Sequence, residues 1–257
     1  MDILRKELDQ IYSLQYLEKE DLDGGEIEIC KRLAGNMTSV TGACCVITDA
    51  ACDRCYLFGG RLASLLGIGE TPFIYRDISS SDEDVIYNRL HPGDLVEKRM
   101  LEYEYFKFVH PLPPDEKLRY KATCRIRIKD RYGQYRVISN STQIMRPSPA
   151  GKIWLILCCY DLSPEREMAS GISPRIVNNH SGEIIDFSFS DKKKHVLTDR
   201  EKEVLLLIKD GYPSKQIADM LGISIHTVNR HRQNILERLS VGNSVEAIMA
   251  ATVMGLL

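Results

Sequence analysis

The spacing of hydrophobic residues changes along this chain, and each spacing predicts a different kind of structure. Near the N-terminus, Leu4, Leu8 and Ile11 recur at helical intervals, which predicts a helix over residues 3–17. A second helix is predicted from about residue 26 to residue 33, after the Gly-Gly pair that ends the first region.

The middle of the chain alternates apolar and polar residues, which is the period of a half-buried β-strand. The clearest case is Lys117–Lys129, which predicts one apolar face made of Ala122, Cys124, Ile126 and Ile128. The predicted strands are 42–47, 55–58, 117–129, 134–146 and 152–161. Two short strands, helices and a meander of three long strands predict an α+β domain with a five-stranded antiparallel sheet.

A turn and a long helix are predicted between the short and the long strands. In the sequence His91-Pro-Gly-Asp94 the Asp94 carboxylate is suited to accept the free N–H groups of a first helical turn. The helix is predicted to run to about Val109, before prolines at 111, 113 and 114 end it.

The order of these elements, together with the Leu90-His-Pro-Gly-Asp94 turn, resembles the PAS sensor fold over about residues 42–162. The resemblance implies a sensor or dimerisation module, and makes a small-molecule ligand in the PAS-like domain a candidate partner. The alternative is an unrelated small α+β domain. A hairpin over 174–177 and 183–189 and a charged linker ending at residue 195 follow.

The last sixty residues carry the strongest helix signals. Thr198 and Glu201 form a capping box, in which each side chain satisfies a backbone N–H at the start of a helix. Gly222 predicts a sharp turn and Ser224 caps the helix after it. Four helices are predicted, over about 198–209, 213–221, 224–239 and 244–254. A short helix, a glycine turn and a longer helix are what a helix-turn-helix requires.

The third of these helices has two chemically different faces. Its core face is predicted to hold Val228, Ile235, Leu236 and Leu239, and its opposite face His226, Asn229, Arg230, Gln233 and Glu237. Arginine pairs well with guanine, and asparagine or glutamine with adenine, so the polar face is suited to base edges. The alternative is an ordinary solvated helix face.

Several motifs in order resemble the LuxR-type (GerE-like) DNA-binding domain: Leu197-Thr-Asp-Arg-Glu-Lys-Glu-Val-Leu, Ser214-Lys-Gln-Ile-Ala-Asp-Met-Leu-Gly-Ile-Ser, Thr227-Val-Asn-Arg-His-Arg-Gln-Asn-Ile and Gly255-Leu-Leu. The resemblance implies an all-α four-helix helix-turn-helix domain that binds double-stranded DNA. By position, Asn229, Arg230 and Gln233 would face bases, with His226 on the same face, while Lys215 and Thr227 would contact phosphate. Asn229 departs from the lysine that many members carry after Thr-Val, which should shift base preference towards adenine.

The resemblance also implies a homodimer, because the family's fourth helix commonly makes the dimer contact. The residues that could supply that face are Val245, Ile248, Met249, Thr252 and Val253. Plain core packing explains the same residues equally well.

Charge and composition agree with a nucleic-acid partner. The whole chain has a formal net charge of −2, but its last 66 residues hold ten Lys/Arg and seven Asp/Glu, a net of +3. A locally basic end is typical of a module that binds a polyanion. The longest apolar run, 153–160, is too short to cross a membrane, and no export signal precedes it, so we expect a soluble cytoplasmic protein.

Other functions have weaker support in the sequence. The runner-up is a thiol- or metal-dependent redox sensor that uses the cluster Cys44, Cys45, Cys52 and Cys55. A sigma-factor-like subunit is a third interpretation, but no promoter-melting helical region precedes residue 197. No catalytic motif or cofactor fingerprint is evident, so we expect no enzyme and leave the cofactor unknown. A receiver domain is disfavoured because the βα repeats that such a domain has are not seen before residue 197. An acyl-homoserine-lactone pocket is disfavoured because it typically uses more than one tryptophan, and this chain has only Trp154.

Four segments are therefore predicted. They are an N-terminal helical segment (1–41), a PAS-like sensor or dimerisation domain (42–162), a hairpin and linker (163–194) and a LuxR-type helix-turn-helix domain (195–257).

Overall fold

The computed structural model describes residues 15–70, 73–80, 83–168, 171–186, 196–239, 241–253 and 256–257. Within them the chain forms an N-terminal domain rich in antiparallel sheet and a C-terminal helical domain. The helix predicted over 3–17 lies almost wholly outside the described residues, and its last residue begins a 3-10 turn, Leu17–Lys19.

Eight strands make one antiparallel sheet in the described part of the chain. They are β1 (Cys44–Asp49), β2 (Arg54–Gly59), β3 (Ile74–Ile78), β4 (Tyr120–Lys129), β5 (Tyr135–Pro147), β6 (Ile153–Leu162), β7 (Arg175–Asn178) and β8 (Ile184–Asp186). Their order is β3-β2-β1-β6-β5-β4-β7-β8, and every neighbouring pair is antiparallel.

The prediction of a five-stranded sheet is therefore wrong in number, although its five strands occupy the centre. The predicted hairpin forms, but instead of standing apart it extends the sheet through β4, with Lys121 opposite Val177. At the other edge β3 pairs with β2. Only Ile74 in β3 is buried, so the strand lacks the apolar alternation from which strands are predicted.

Helices cover both faces of the sheet. In the described residues of the N-terminal domain they are α1 (Gly24–Thr41), α2 (Arg61–Leu65), α3 (Asp84–Tyr87), α4 (Pro92–Val109) and α5 (Pro114–Lys117). Helix α1 corresponds to the helix predicted over residues 26–33 and is much longer than that prediction. Gly24 and Gly25 open it, because the Asp23 carboxylate accepts a hydrogen bond from the Gly25 N–H at 2.8 Å.

The long helix α4 ends at Val109 as predicted, but Asp94 does not cap it. His91 is the N-cap residue, and its Nδ1 accepts from the Gly93 N–H at 3.3 Å. Asp94 is fully buried and instead receives the backbone N–H of Arg127 at 2.7 Å and its Nε–H at 3.0 Å. The carboxylate thus ties α4 to the last third of β4 instead of satisfying its own helix.

Buried charge occupies the space between α4 and the sheet. Lys98, 1% exposed, lies 2.7 Å from the Glu102 carboxylate one turn further along the helix. The Tyr87 hydroxyl donates to the same carboxylate at 2.5 Å. The Tyr160 hydroxyl of β6 donates to buried Glu83. The Lys98 ammonium lies over the rings of both tyrosines, 5.3 Å from the Tyr87 centroid and 5.8 Å from the Tyr160 centroid.

In the described residues the C-terminal domain consists of α6 (Asp199–Lys209), α7 (Ser214–Leu221), α8 (Ile225–Leu239) and α9 (Ser244–Val253). These are the four helices that the sequence predicts. The capping box forms: the Thr198 N–H donates to Glu201 at 2.8 Å, and the Glu201 N–H to the Thr198 hydroxyl at 3.3 Å. α9 packs against α6 and α8 and also against α4 of the N-terminal domain. One hydrophobic cluster therefore runs through both domains.

Candidate nucleic-acid interface

The turn between α7 and α8 has the backbone shape that a helix-turn-helix needs. Gly222 ends α7 in the left-handed region, with φ of 63°, where residues with a Cβ are disfavoured. The Ile223 N–H closes the turn on the Ala218 carbonyl at 3.0 Å. The chain then enters α8 after only three residues outside helix, which fixes the angle between the two helices.

The inner face of α8 anchors it to the rest of the domain. Val228, Ile235 and Leu239 are 0%, 1% and 0% exposed, and Leu236 packs beside them. Their partners include Ile217 of α7 and Val204 and Leu205 of α6, which are also buried. Burial of the aliphatic stripe holds α8 in one rotation about its axis, and that rotation decides which side chains face outward.

The first turn of α8 is capped by Ser224, as predicted. The Ser224 hydroxyl oxygen accepts from the Thr227 N–H at 3.0 Å and lies 2.8 Å from the Thr227 hydroxyl. Thr227 is consequently half-buried and already hydrogen-bonded within the cap. Its position at the helix start leaves it next to backbone N–H groups that favour an anion.

The outer face of α8 is open to solvent even with the N-terminal domain in place. Asn229, Arg230 and Gln233 are exposed, and so is His226 at the start of the same face. We call Asn229, Arg230 and Gln233, which are predicted to face bases, the three readers. The only contact among the described residues that restrains them is a weak hydrogen bond from Gln233 Nε2 to Glu237 Oε1 at 3.4 Å. The face therefore combines a fixed backbone with adaptable polar side chains.

The basic residues of the domain divide into two groups. Arg200 pairs with Glu203 at 2.6 Å, and Arg238 approaches Glu201 at 3.4 Å. Arg230 and Lys215 have no ion-pair partner among the described residues, and both are exposed. Lys215 lies at the start of α7, so it stands apart from the three readers on α8. The two cations assigned to DNA are thus unpaired and exposed, as is Lys209 at the end of α6.

Arg232 of α8 has a structural role. Its guanidinium donates to Ser214 at 3.4 Å and to Ser244 at 3.1 Å, at the starts of α7 and α9. His231 beside it is half-buried. The serine partners of Arg232 are set by the tertiary fold and gave no signal in the sequence.

The predicted dimer face of α9 is partly engaged within the chain. Ile248 is half-buried in the shared cluster, while Val245 and Thr252 are exposed. The side chains of Met249 and Val253 lie outside the described ones. Ala247, Ala250 and Ala251 form the buried side of the helix, which the sequence analysis did not single out. Small side chains there allow close helix approach.

The four cysteines proposed as a thiol or metal cluster do not converge. Cys44 and Cys55 lie in the cluster beneath α4, Cys45 lies in the separate cluster beneath α1, and Cys52 is exposed in a turn. The nearest thiol to Cys45 is Cys159, directly opposite on β6, with 3.8 Å between the sulfur atoms. No group of three or more metal-ligating side chains occurs in the part of the chain that the structure describes.

Removal of the α8 cap should loosen the reading helix. Ser224→Ala deletes the oxygen that accepts from Thr227, and loss of such a cap costs about 1 kcal/mol. We expect amide hydrogen exchange in the first turns of α8 to accelerate about fivefold. Ser224→Asp, which keeps an acceptor, should exchange at the original rate. Equal exchange in all three proteins would show that this hydrogen bond does not stabilise α8.

Comparison with protein families identifies the C-terminal segment. The model for "Bacterial regulatory proteins, luxR family" matches residues 195–251, which contain all of α6, α7 and α8 and most of α9. This segment is a LuxR-type helix-turn-helix domain. No helix in the described residues is both long and apolar enough to cross a bilayer.

Curated relatives match over the same part of the chain. The transcriptional regulatory protein DesR of Bacillus subtilis is 42% identical over 90 residues, which are 34% of this chain and 43% of DesR. DegU of Brevibacillus brevis is 38% identical over 79 residues, 29% of this chain and 34% of DegU. The uncharacterized response regulatory protein YgeK of Escherichia coli is 48% identical over 59 residues, 23% of this chain and 40% of YgeK. The chain thus spans less than half the length of these relatives.

Solved structures show a more distant likeness over most of the chain. Phage VqmA in complex with DPO has 16% identity and a TM-score of 0.30, covering 90% of this chain and 88% of VqmA. SdiA of Escherichia coli has 13% identity and a TM-score of 0.24, covering 95% of both chains. These scores are too low to assign the fold of the N-terminal domain.

Proposed function

We propose that this chain is a cytoplasmic transcription regulator that binds specific sequences of double-stranded DNA through its C-terminal domain. One observation carries the proposal. In a segment that matches the LuxR family, α8 buries its aliphatic stripe and turns Asn229, Arg230 and Gln233 outward, beyond the reach of the N-terminal domain.

Each outward residue has a role that its chemistry favours. Arg230 donates to guanine O6 and N7 in the major groove, and Asn229 or Gln233 bridges adenine N6 and N7. Lys215 and the Thr227 hydroxyl, together with the backbone N–H groups that open α8, bind phosphate and fix the register. His226 lies at the edge of the same face, where it contacts backbone or a flanking base.

The N-terminal domain acts as a PAS-like input module in this proposal. Support comes from the five central strands, in which a meander of β4, β5 and β6 adjoins the β1–β2 hairpin, and from the packing of α4 on β4. The packing of α9 on α4 gives the input domain a direct mechanical connection to the DNA-binding domain. Two copies of the chain would read two half-sites of one operator.

Selection of bound DNA from a random pool, with the full chain as bait, tests the proposal. We expect enrichment of a short motif repeated with two-fold symmetry. Retention of DNA without any enriched motif would contradict sequence-specific reading, and failure to retain DNA at low salt would contradict DNA binding altogether.

Lys215→Met should weaken binding to every DNA sequence by about the same factor. Because Lys215 is assigned to phosphate, its loss removes one counterion-releasing contact, and the slope of log K against log salt should fall in magnitude by about one. Fluorescence anisotropy with the selected motif and a scrambled duplex measures both quantities. Lys209→Met removes an exposed charge from the end of α6 and is the matched control. A loss confined to the selected motif would assign Lys215 to bases instead.

A further inference from the structure

A cavity of about 480 Å³ lies where the two domains meet. The N-terminal domain contributes the α3–α4 turn, including Arg89, and the facing ends of β4 and β5 at Lys129 and Tyr135. The C-terminal domain contributes Val241 and Glu246, from the α8–α9 connection and the first turn of α9. Its volume falls in the range of sites that hold small organic ligands.

The charges that line this cavity are unequally satisfied. Glu246 accepts from the Gly242 N–H at 2.8 Å and from the Asn243 amide at 2.9 Å, so both of its oxygens are hydrogen-bonded within its own loop, and the lining cations Arg89 and Lys129 outnumber its negative charge. Among the described residues, the Arg89 guanidinium donates only to the Gly67 carbonyl, at 3.1 Å, and the Lys129 ammonium contacts only the Tyr135 ring, whose centroid lies 5.5 Å away. Neither cation has a carboxylate partner within the described ranges of the chain. Two cations without ion pairs around one cavity favour an anion.

Apart from Asn88, the remaining side chains of the lining are aromatic or aliphatic. Tyr87 and Tyr135 contribute rings, while Leu95 and Val241 contribute aliphatic surface from the two domains. Tyr135 also stacks edge-on against His91, with ring centroids 5.2 Å apart, which holds its ring in place. A ligand that satisfied both the cations and this surface would combine a carboxylate with a flat apolar body.

We propose that the cavity between the domains binds a small aromatic carboxylate, with its carboxylate on Arg89 and Lys129 and its ring between Tyr135 and Val241. The cavity would give the regulator a second input site, between its domains. Its effect on DNA binding rests on the proposed function. A ligand seated there contacts both domains at once. It therefore stabilises the arrangement in which α9 packs on α4 over any arrangement in which the domains separate.

Calorimetric titration of the full chain with two probes, benzoate and indole-3-acetate, tests this site. We expect at least one probe to bind once per chain, with a dissociation constant of about 1 mM or tighter. The neutral analogues, benzamide and indole-3-acetamide, should bind about tenfold more weakly, because they lack the charge that the two cations recognise. Since no DNA is present, a failure here leaves the DNA-binding proposal untouched.

Variants locate the binding. Arg89→Met and Lys129→Met should each weaken the carboxylate about tenfold without affecting the amide. Val241→Trp should fill the cavity from the other domain and abolish binding of both. Lys107→Met removes an exposed charge from α4 outside the cavity and should change nothing. The proposal is overturned if neither carboxylate binds saturably, or if binding is equal in all four variants.

Discussion

Replacement of Lys98 by methionine is expected to lower the free energy of unfolding of the N-terminal domain by about 3–5 kcal/mol, because removal of one partner strands the other charge in the interior. The charge left behind is Glu102, 6% exposed, whose carboxylate lies 2.7 Å from the Lys98 ammonium and would keep the more distant Arg99 guanidinium at 3.8 Å. Methionine keeps the length of the side chain, so the loss reports charge instead of volume.

Urea unfolding followed by Trp154 fluorescence measures this change. Trp154 is the only tryptophan of the chain and is buried in the sheet, so it reports on the N-terminal domain alone. Lys107→Met, on the exposed side of the same helix, should change stability by less than about 0.5 kcal/mol. In the double variant Lys98→Met/Glu102→Leu most of the loss should be recovered. A loss below about 1 kcal/mol in the single variant would contradict a buried ion pair.

The pH dependence of the same loss has a definite sign. Burial raises the pKa of Glu102, but Lys98 and Arg99 outweigh it and hold that pKa below the ordinary 4.5. The stability from the depressed pKa is fully present above 4.5 and is lost as pH falls through the folded value. Without Lys98, fewer charges oppose the effect of burial, which raises the pKa of Glu102. The Glu102 carboxylate of the variant therefore accepts a proton more readily. The difference in unfolding free energy between the two proteins should therefore shrink in acid.

Arg230→Ala and Gln233→Ala should each erase base preference at a particular position of the selected DNA motif. A good bidentate contact contributes about 1–3 kcal/mol of discrimination, which corresponds to a ratio of about 5-fold to 150-fold between the right and the wrong base. Because α8 is anchored by Val228, Ile235 and Leu239, we expect the two losses to fall at separate base pairs.

Binding to a complete set of singly substituted operators measures these preferences. Arg230→Ala should become indifferent at a guanine and keep its preference elsewhere, and Gln233→Ala should become indifferent at a neighbouring position. Lys209→Met keeps every preference, because it lies outside the reading face. If Arg230→Ala weakened all operators equally, Arg230 would be a phosphate contact and the assignment of bases would be wrong.

The helices of the C-terminal domain could be predicted nearly to the residue because their ends are set by interactions between residues close together in the sequence. The Thr198–Glu201 capping box, the Gly222 turn and the Ser224 cap each act within four residues, and each forms. The two faces of α8 follow from the helical period alone, so the buried stripe and the exposed readers were both predicted.

Long-range partners could not be predicted in the same way. An aspartate after a turn looks like a helix cap, but Asp94 finds Arg127, 33 residues away, and becomes fully buried. The sequence hypothesis grouped Cys45 with Cys44, Cys52 and Cys55, whereas the thiol that approaches Cys45 in the structure is Cys159 across the sheet. The edge strand β3 shows too little apolar alternation to be recognised. In each case the deciding contact is made by the tertiary fold.

In the proposed complex with DNA, Arg230 touches a guanine in the major groove. The most direct test replaces each guanine of the selected operator in turn by 7-deazaguanine, which lacks the N7 acceptor, and measures the affinity of the original chain and of Arg230→Ala. At one guanine the original chain should lose about tenfold in affinity while Arg230→Ala loses nothing further. Equal losses in the two proteins at every guanine would contradict the claim.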